Sequence, residues 1–341
     1  MRKMYSLTDD AVKQKIQIMG RYEDLPDGIS FDWTDSAVKI KALCFGDVTF
    51  NLRCEITCDK QTDKTIKIQY YSVFVDGAYR EIKVEDVKDG QSITVNFHID
   101  GDATEHEIWF VRQLERDYGS AALTSFSLDG ELMELKPADT LIEFIGDSVT
   151  CAGASGKIHN ENGTDSYAFL TAKALKADWR MVCSSGWGLK YDSCGLSDEK
   201  SCWVDSYKYE NCFRGLTSLY KCRKKANIVC IYLGCNDYNS LRQGTSRFTA
   251  EDFAENGKKL IKTIKEYQPE ARIAWLNGGI SYAHKEAATL CIEELGGEKN
   301  GYYLIDLGGE YHGGSCWHPS AEEHIHMADA LIDSLLAKKL V

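Results

Sequence analysis

The strongest constraint on this chain is a change of hydrophobic period near residue 130. Before it the period is two. Ile29, Phe31 and Trp33 alternate with polar residues, as do Val48, Phe50, Leu52, Cys54 and Ile56, then Ile66 and Ile68, then Ile93, Val95 and Phe97. Asp76-Gly77, Asp89-Gly90 and Asp100-Gly101 separate the runs as turn signals. Short alternating strands joined in this way predict an all-β sandwich or jelly roll. Residues 121–140 carry the crossing, punctuated by Asp129-Gly130 and Pro137. Beyond it, apolar runs of strand length at 141–145, 179–184, 228–233, 272–276 and 302–307 alternate with helical patterns. Asp165 is placed to cap a helix through Leu175, with Tyr167, Leu170 and Ala174 at helical spacing. Thr249 opens a helix with Phe253, Leu260 and Ile264 on one face. Ser320 and Glu323 form a capping box for the last helix, whose expected buried stripe is Ile325, Ala328, Ile332 and Leu335. Such alternation predicts an α/β class with a parallel sheet covered by helices on both faces. The expected organisation is a β-sandwich domain at 1–135 and a three-layer α/β/α domain at 136–341.

Composition narrows the partners. The 341 residues carry a net charge of −12, which argues against nucleic acid or an anionic membrane surface. The one basic run, Lys221 to Lys225, is expected to cap a helix C-terminus. No stretch approaches the roughly 20 apolar residues of a membrane span. The start, MRKMYSLTDDAVKQ, has no apolar core of a signal peptide. Thirteen cysteines are scattered without a C-x-x-C pair. Several fall inside expected strands (Cys54, Cys183, Cys230), where a thiol is a small apolar filler. Together these features lead to an expectation of a cytoplasmic protein, or an extracellular one had a leader been trimmed.

Residues 141–156, LIEFIGDSVTCAGASG, carry the first chemical signal. The apolar run stops at Gly146, and Asp147 and Ser148 follow where a strand gives way to a loop that Gly153 and Gly156 keep open. Ligands bind outside the carboxyl ends of strands in an open α/β sheet. A serine there is a nucleophile or a helix cap, and the local pattern leaves both open. Residues 228–239, IVCIYLGCNDYN, repeat the plan with Gly234, Asn236 and Asp237. GGSCWHPSAEEH then places His318 just before Pro319 and a helix start. Strand–GDS, strand–GxND and a late His–Pro, in that order, resemble the SGNH (GDSL-type) serine hydrolases, which favours the nucleophile reading. The opening GRYEDLPDGISFDW, with IEFIGDS, DSYAFLTAKAL and SSGWGL behind a β-rich domain, resembles carbohydrate esterase family 2, whose members place a jelly roll ahead of an SGNH domain and remove acetyl groups from plant polysaccharides.

Ester hydrolysis needs a nucleophile, a base and donors for the oxyanion. Ser148 is the candidate nucleophile and His318 the candidate base. The resemblance implies the backbone N–H of Ser148, the backbone N–H of Gly186 and the side-chain amide of Asn236 as oxyanion donors, with Gly188 a rival to Gly186. At the third triad position the chain departs from the family. Three residues before the histidine, where many members have aspartate, stands Ser315. The expectation is therefore a Ser148–His318 dyad assisted by a main-chain oxygen or by Ser315; Asp306 and Glu310 are the nearest acids in sequence. Asp147 and Asp237 are expected to hold loops through backbone hydrogen bonds.

The connection at 187–213, with Trp187, Tyr191, Trp203, Tyr207, Tyr209 and Phe213, reads equally as a substrate wall or as a loop packed on itself. Trp187 and Trp317 are the candidate substrate-facing aromatics. His98 and His106 read as surface residues. His324 and His326 do not share a helix face, so no metal is expected, and no phosphate-cradling loop implies a cofactor. Asn162-Gly163-Thr164 is a glycosylation sequon in form alone. The function expected is removal of O-acetyl groups from carbohydrates. The alternatives are an esterase for another short acyl group, or a carbohydrate-binding protein with an inactive hydrolase domain.

Overall fold

A computed structural model gives the fold. It describes the chain except residues 56–57, 60–63, 66–67, 154–161, 198–201 and 211–217; Ile56, Ile66, Gly156 and Phe213 lie outside the described residues. The chain forms two compact units, Met1–Pro137 and Ala138–Val341.

The first unit is antiparallel. After β1 (Arg2–Ser6) and a single turn α1 (Asp10–Lys13) come β2 (Gln17–Met19), β3 (Glu23–Leu25), β4 (Gly28–Phe31) and β5 (Ala37–Glu55). Next come β6 (Cys58–Asp59), β7 (Lys64–Thr65), β8 (Gln69–Val75), β9 (Ala78–Val84), β10 (Ser92–Arg112) and β11 (Ser120–Met133). The order is β3-β4-β11-β5-β10-β8-β9, with β1 on β11 and β2 on β5. Of the alternating residues, Ile29, Phe31, Val48, Phe50, Leu52, Cys54, Ile93, Val95 and Phe97 share one core, where Phe50 stacks on Phe110 at 4.3 Å beside Phe126 and Phe97.

The expected turn at Asp100-Gly101 is not a turn, and the punctuation at Asp129-Gly130 does not end a strand. Asp100-Gly101 lies inside β10 and Asp129-Gly130 inside β11, each at a register shift in the pairing with β5. Gly130 has φ +148°, and a Cβ there would sit 2.0 Å from the Leu43 carbonyl oxygen. These glycines serve bulges that bend long strands rather than reversing the chain. The crossing expected over 121–140 is consequently mostly strand β11, paired with β1, β4 and β5.

The second unit is a parallel sheet in the order β13-β12-β14-β15-β16. Its strands are β12 (Leu141–Gly146), β13 (Asp178–Cys183), β14 (Ile228–Tyr232), β15 (Arg272–Gly279) and β16 (Tyr302–Glu310). The helices are α2 (Tyr167–Ala174), α3 (Trp203–Ser206), α4 (Cys235–Gln243), α5 (Ala250–Tyr267), α6 (Lys285–Glu294) and α7 (Ala321–Ala337). From β12 the chain steps to β13 on one side, then crosses back to β14 on the other. The carboxyl ends of β12 and β14 therefore flank a topological switch point, where an open α/β sheet leaves a crevice.

Local chemistry explains the helix ends and corrects two expectations. Thr249 and Ser320 cap α5 and α7 in full capping boxes, with Asp252 and Glu323 as reciprocal partners. For α2 the cap is Ser166, whose Oγ accepts from the Phe169 N–H; Asp165 is one residue too early and instead accepts from the Asn162 amide. The buried face of α7 is His324, Met327, Ala328, Leu331 and Leu335, while Ile325 is half exposed and Ile332 only partly covered. The helix is turned because His324 has a partner inside: its Nδ1 accepts from the Tyr167 N–H, and its ring stacks on Tyr167. Two helices, α4 and α6, lack a long apolar stripe and are not legible in sequence.

The basic run at 221–225 does not sit at the end of a described helix. Lys225 donates to the Tyr267 carbonyl at the end of α5, so it caps a helix that comes later in the chain. Lys224 pairs with Asp178 and Arg223 with Glu210. The eleven cysteines whose side chains are described carry free thiols, with Cys54, Cys183 and Cys230 buried in strands. No helix among the described residues is long and apolar enough to cross a membrane.

Candidate active site

Ser148 stands just past β12, at the switch point. Its Oγ lies 2.7 Å from His318 Nε2 across 170 residues of chain. On the other side of the imidazole, Nδ1 is 2.9 Å from the Cys316 carbonyl oxygen. A carbonyl only accepts, so Nδ1 carries the proton, leaving the Nε2 lone pair for the serine hydroxyl. The ring is thus held by a main-chain oxygen. Asp306 is occupied elsewhere, accepting from Tyr282 Oη at 2.6 Å and from the Gly308 N–H. Glu310 accepts from the Tyr282 N–H.

The loop carrying His318 is tied at both ends. One oxygen of Glu323 accepts from the Ser320 N–H at 2.7 Å and from the Gly313 N–H at 2.8 Å. Burial pushes the Glu323 carboxyl up, but N–H bonds from Ser320, Gly313 and His312 outweigh it and hold it below its ordinary value. Between those anchors Cys316 (φ +52°) and Trp317 (φ +61°) are both left-handed, a costly conformation for side-chain-bearing residues. It aims the Cys316 carbonyl back at the ring.

The opposite wall is built on α4, which follows β14. Asn236, in its first turn, donates through Nδ2 to the Trp187 carbonyl at 2.9 Å and to Asp147 Oδ2 at 3.3 Å. Asp147 also accepts from the Val149 N–H, which fixes the turn bearing Ser148. Asp237 is fully buried and collects the N–H groups of Leu189, Lys190 and Tyr191, each at 2.8 Å. Burial raises its carboxyl to about 6 against the pull of those donors. Neighbouring residues of one helical turn therefore clamp the segment that follows Gly186. Gly186 has φ +77° and lines the cavity beside Ser148. Gly188 has another job: a Cβ there would sit 1.9 Å from the Tyr191 carbonyl oxygen and 2.5 Å from Asp237, so only glycine lets the clamp close.

These walls enclose a cavity of about 910 Å³ containing Ser148, Gly186, Asn236, Trp317 and His318. Trp317 is 78 % exposed at the rim. Trp187 does not face the cavity. It is buried against Trp203, with ring centroids 4.9 Å apart, and the Trp203 indole N–H donates to the Gly146 carbonyl. Tyr207 is likewise buried, on Glu143. Trp187, Trp203 and Tyr207 thus pack inward, the last two against β12, whereas Tyr191 stacks on Phe248 and Ser193 of the same connection lines the cavity. The wall residues supplied instead by Tyr238, Asn239 and Arg242 of α4, and by Ile280, Ala283 and His312, carry no motif signal. Among the described residues no group of His, Cys, Asp and Glu is arranged to hold a metal.

No family model matches the chain. Curated relatives do. It is 26% identical over 262 residues to an acetylxylan esterase / glucomannan deacetylase of Cellvibrio japonicus, covering 72% of this chain and 71% of that one. It is 30% identical over 247 residues to the cellulase/esterase CelE of Acetivibrio thermocellus, covering 67% of this chain but 28% of that longer protein. Among solved structures, a family two carbohydrate esterase from Cellvibrio japonicus aligns with a TM-score of 0.82 at 20% identity, over 99% of this chain and 98% of the other. A family two carbohydrate esterase from Clostridium thermocellum in complex with cellohexaose aligns with a TM-score of 0.81 at 23% identity, over 96% and 100%. The resemblance read from the motifs holds in both sequence and structure: the relatives are carbohydrate esterases, and the fold is the two-domain one they share.

Proposed function

We propose that this relative of the family 2 carbohydrate esterases is a serine esterase that removes O-acetyl groups from xylan- or mannan-type oligosaccharides through an acyl-enzyme. The carboxylic ester hydrolase class follows from the relatives. The observation that carries the mechanism is the relay of Ser148 Oγ, His318 and the Cys316 carbonyl at 2.7 and 2.9 Å, opening on a cavity. Ser148 Oγ attacks the acetyl carbonyl while His318 Nε2 takes its proton. The oxyanion forms towards the backbone N–H groups of Ser148 and Gly186 and the Asn236 amide. Its 3.3 Å bond to Asp147 is the weaker of the two that Asn236 makes, and is the one exchanged for the oxyanion. The imidazolium passes its proton to the sugar oxygen, and the deacetylated alcohol leaves. Water, deprotonated by the same imidazole, attacks the acetyl-serine; acetate departs and Ser148 regains its hydrogen. The carbohydrate substrate is supported by relatives named for deacetylating xylan and glucomannan, and by the Trp317 face at the rim.

The test is acetate release from acetylated xylo- and manno-oligosaccharides by the wild type and by Ser148→Ala. The variant should lose at least about 10³-fold in kcat/KM. Equal rates would remove Ser148 from the reaction, and steep loss along a series of longer acyl esters would mark an acetyl-sized pocket.

A further inference from the structure

The α4 wall of the cavity carries a cation that the ester chemistry does not use. Cys235, Tyr238, Asn239 and Arg242 fall at i, i+3, i+4 and i+7 on this helix and all line the cavity. Arg242 is exposed; Nη2 donates to Asn239 Oδ1 at 2.9 Å, which steadies the guanidinium, and among the described residues no carboxylate pairs with it. A cation in the last turn is favoured by the helix dipole. The dipole does not require that it face the cavity holding Ser148. Along the helix axis Arg242 lies about 9 Å beyond Asn236, six residues at about 1.5 Å each. A group bound there belongs to a part of the substrate distant from the scissile ester. Another wall carries Glu310, which repels an anion placed on its side. Arg242 is the one guanidinium among the described residues that line the cavity, a planar fork suited to a carboxylate.

We propose that Arg242 is a specificity-determining residue that binds the carboxylate of a uronic acid unit, so that the preferred substrate is an acetylated oligosaccharide carrying a uronate beside the acetylated sugar. The inference rests on the carbohydrate-ester reading above, and its test is separable from it. Ser148→Ala, which allows binding to be read without turnover, is titrated at low salt with a uronate-bearing xylo-oligosaccharide and with its neutral counterpart of equal length. The uronate form should bind about 5- to 10-fold more tightly. Added salt should shrink that ratio. Adding Arg242→Gln should bring it to about one, and Arg242→Lys, which keeps the charge but loses the fork, should fall between. Equal affinities in Ser148→Ala, or a ratio that survives Arg242→Gln, would overturn the proposal. Acetate release by the wild type separately judges the esterase reading.

Discussion

Two carboxylates shape this site without touching the proposed reacting atoms, and they do so in opposite surroundings. Asp237 is buried and binds three successive N–H groups of the segment after Gly186. Glu323 is partly exposed and bridges the two ends of the loop bearing His318. The oxyanion side is therefore fixed from within, by a group with no access to water. The base side is fixed from its rim, and its ring is oriented by a peptide oxygen of the same loop. Removing a buried acceptor leaves its N–H donors unsatisfied at their full desolvation cost, whereas donors near the surface turn to solvent. The two halves should consequently fail differently.

The largest difference should come from the donor that the buried clamp supports. Asn236→Ala should lower kcat for acetate release by about 100- to 1,000-fold with little change in KM. A loss confined to KM would make Asn236 a binding residue only. Next is the clamp itself. Asp237→Ala orphans three N–H groups and should cost about 3 kcal/mol of stability, read by denaturant unfolding. Asp237→Asn keeps one oxygen for Lys190 and Tyr191 but turns an NH₂ towards Leu189, and should cost about half as much. If both variants are as stable as wild type, the oxyanion side is no more rigid than the base side. On the base side Glu323→Ala should cost only about 1 kcal/mol and lower kcat/KM a few-fold, because solvent reaches the N–H groups it leaves. A collapse as large as that of Asp237→Ala would erase the contrast.

Each half also rests on a buried neutral histidine. Burial lowers His284, beside Cys235, to about 4 and His324, on the inner face of α7, to about 3. The unfolded chain takes up these protons near pH 6.5 while the folded one refuses them, so stability should fall as pH drops from about 6.5 towards 4. Asp237, lifted to about 6, acts in the reverse sense: the folded state holds its proton between about 4 and 6, and its contribution is lost as pH rises through that range. Denaturation midpoints from pH 7 to 4 should show a net decline that His324→Gln flattens. An unchanged slope in that variant would mean His324 is not held neutral.

What was legible in sequence follows the same division. Strand ends with Gly-Asp-Ser and Gly-x-Asn-Asp place Ser148, Asn236, Asp147 and Asp237 outside the sheet, but the local pattern leaves Ser148 open between nucleophile and cap, and only the ordered set of motifs, through its resemblance, assigns the roles. The capping boxes at Thr249 and Ser320 are local. Trp187 misled because an aromatic in a polar connection carries no sign of which way it points; only the packing against Trp203 decides that. Asp165 lost the cap of α2 to its neighbour by one residue, a choice made by backbone angles. The α7 stripe turned because His324, polar by composition, found a partner on α2. Tyr238 and Arg242 were silent, since α4 has neither an apolar stripe nor a motif beyond its first turn.

The acceptor behind His318 belongs to the polypeptide itself and not to any amino-acid type. No side-chain exchange that leaves the path of the loop unchanged can delete it. Genetic drift at 315 and 316 should therefore be tolerated wherever the path of the loop survives, whereas a single inserted, deleted or proline residue between Gly314 and His318 would abolish it. Homologues sharing this arrangement would escape any scan for an acid three places before the histidine, and are better sought by loop length and contour than by letters.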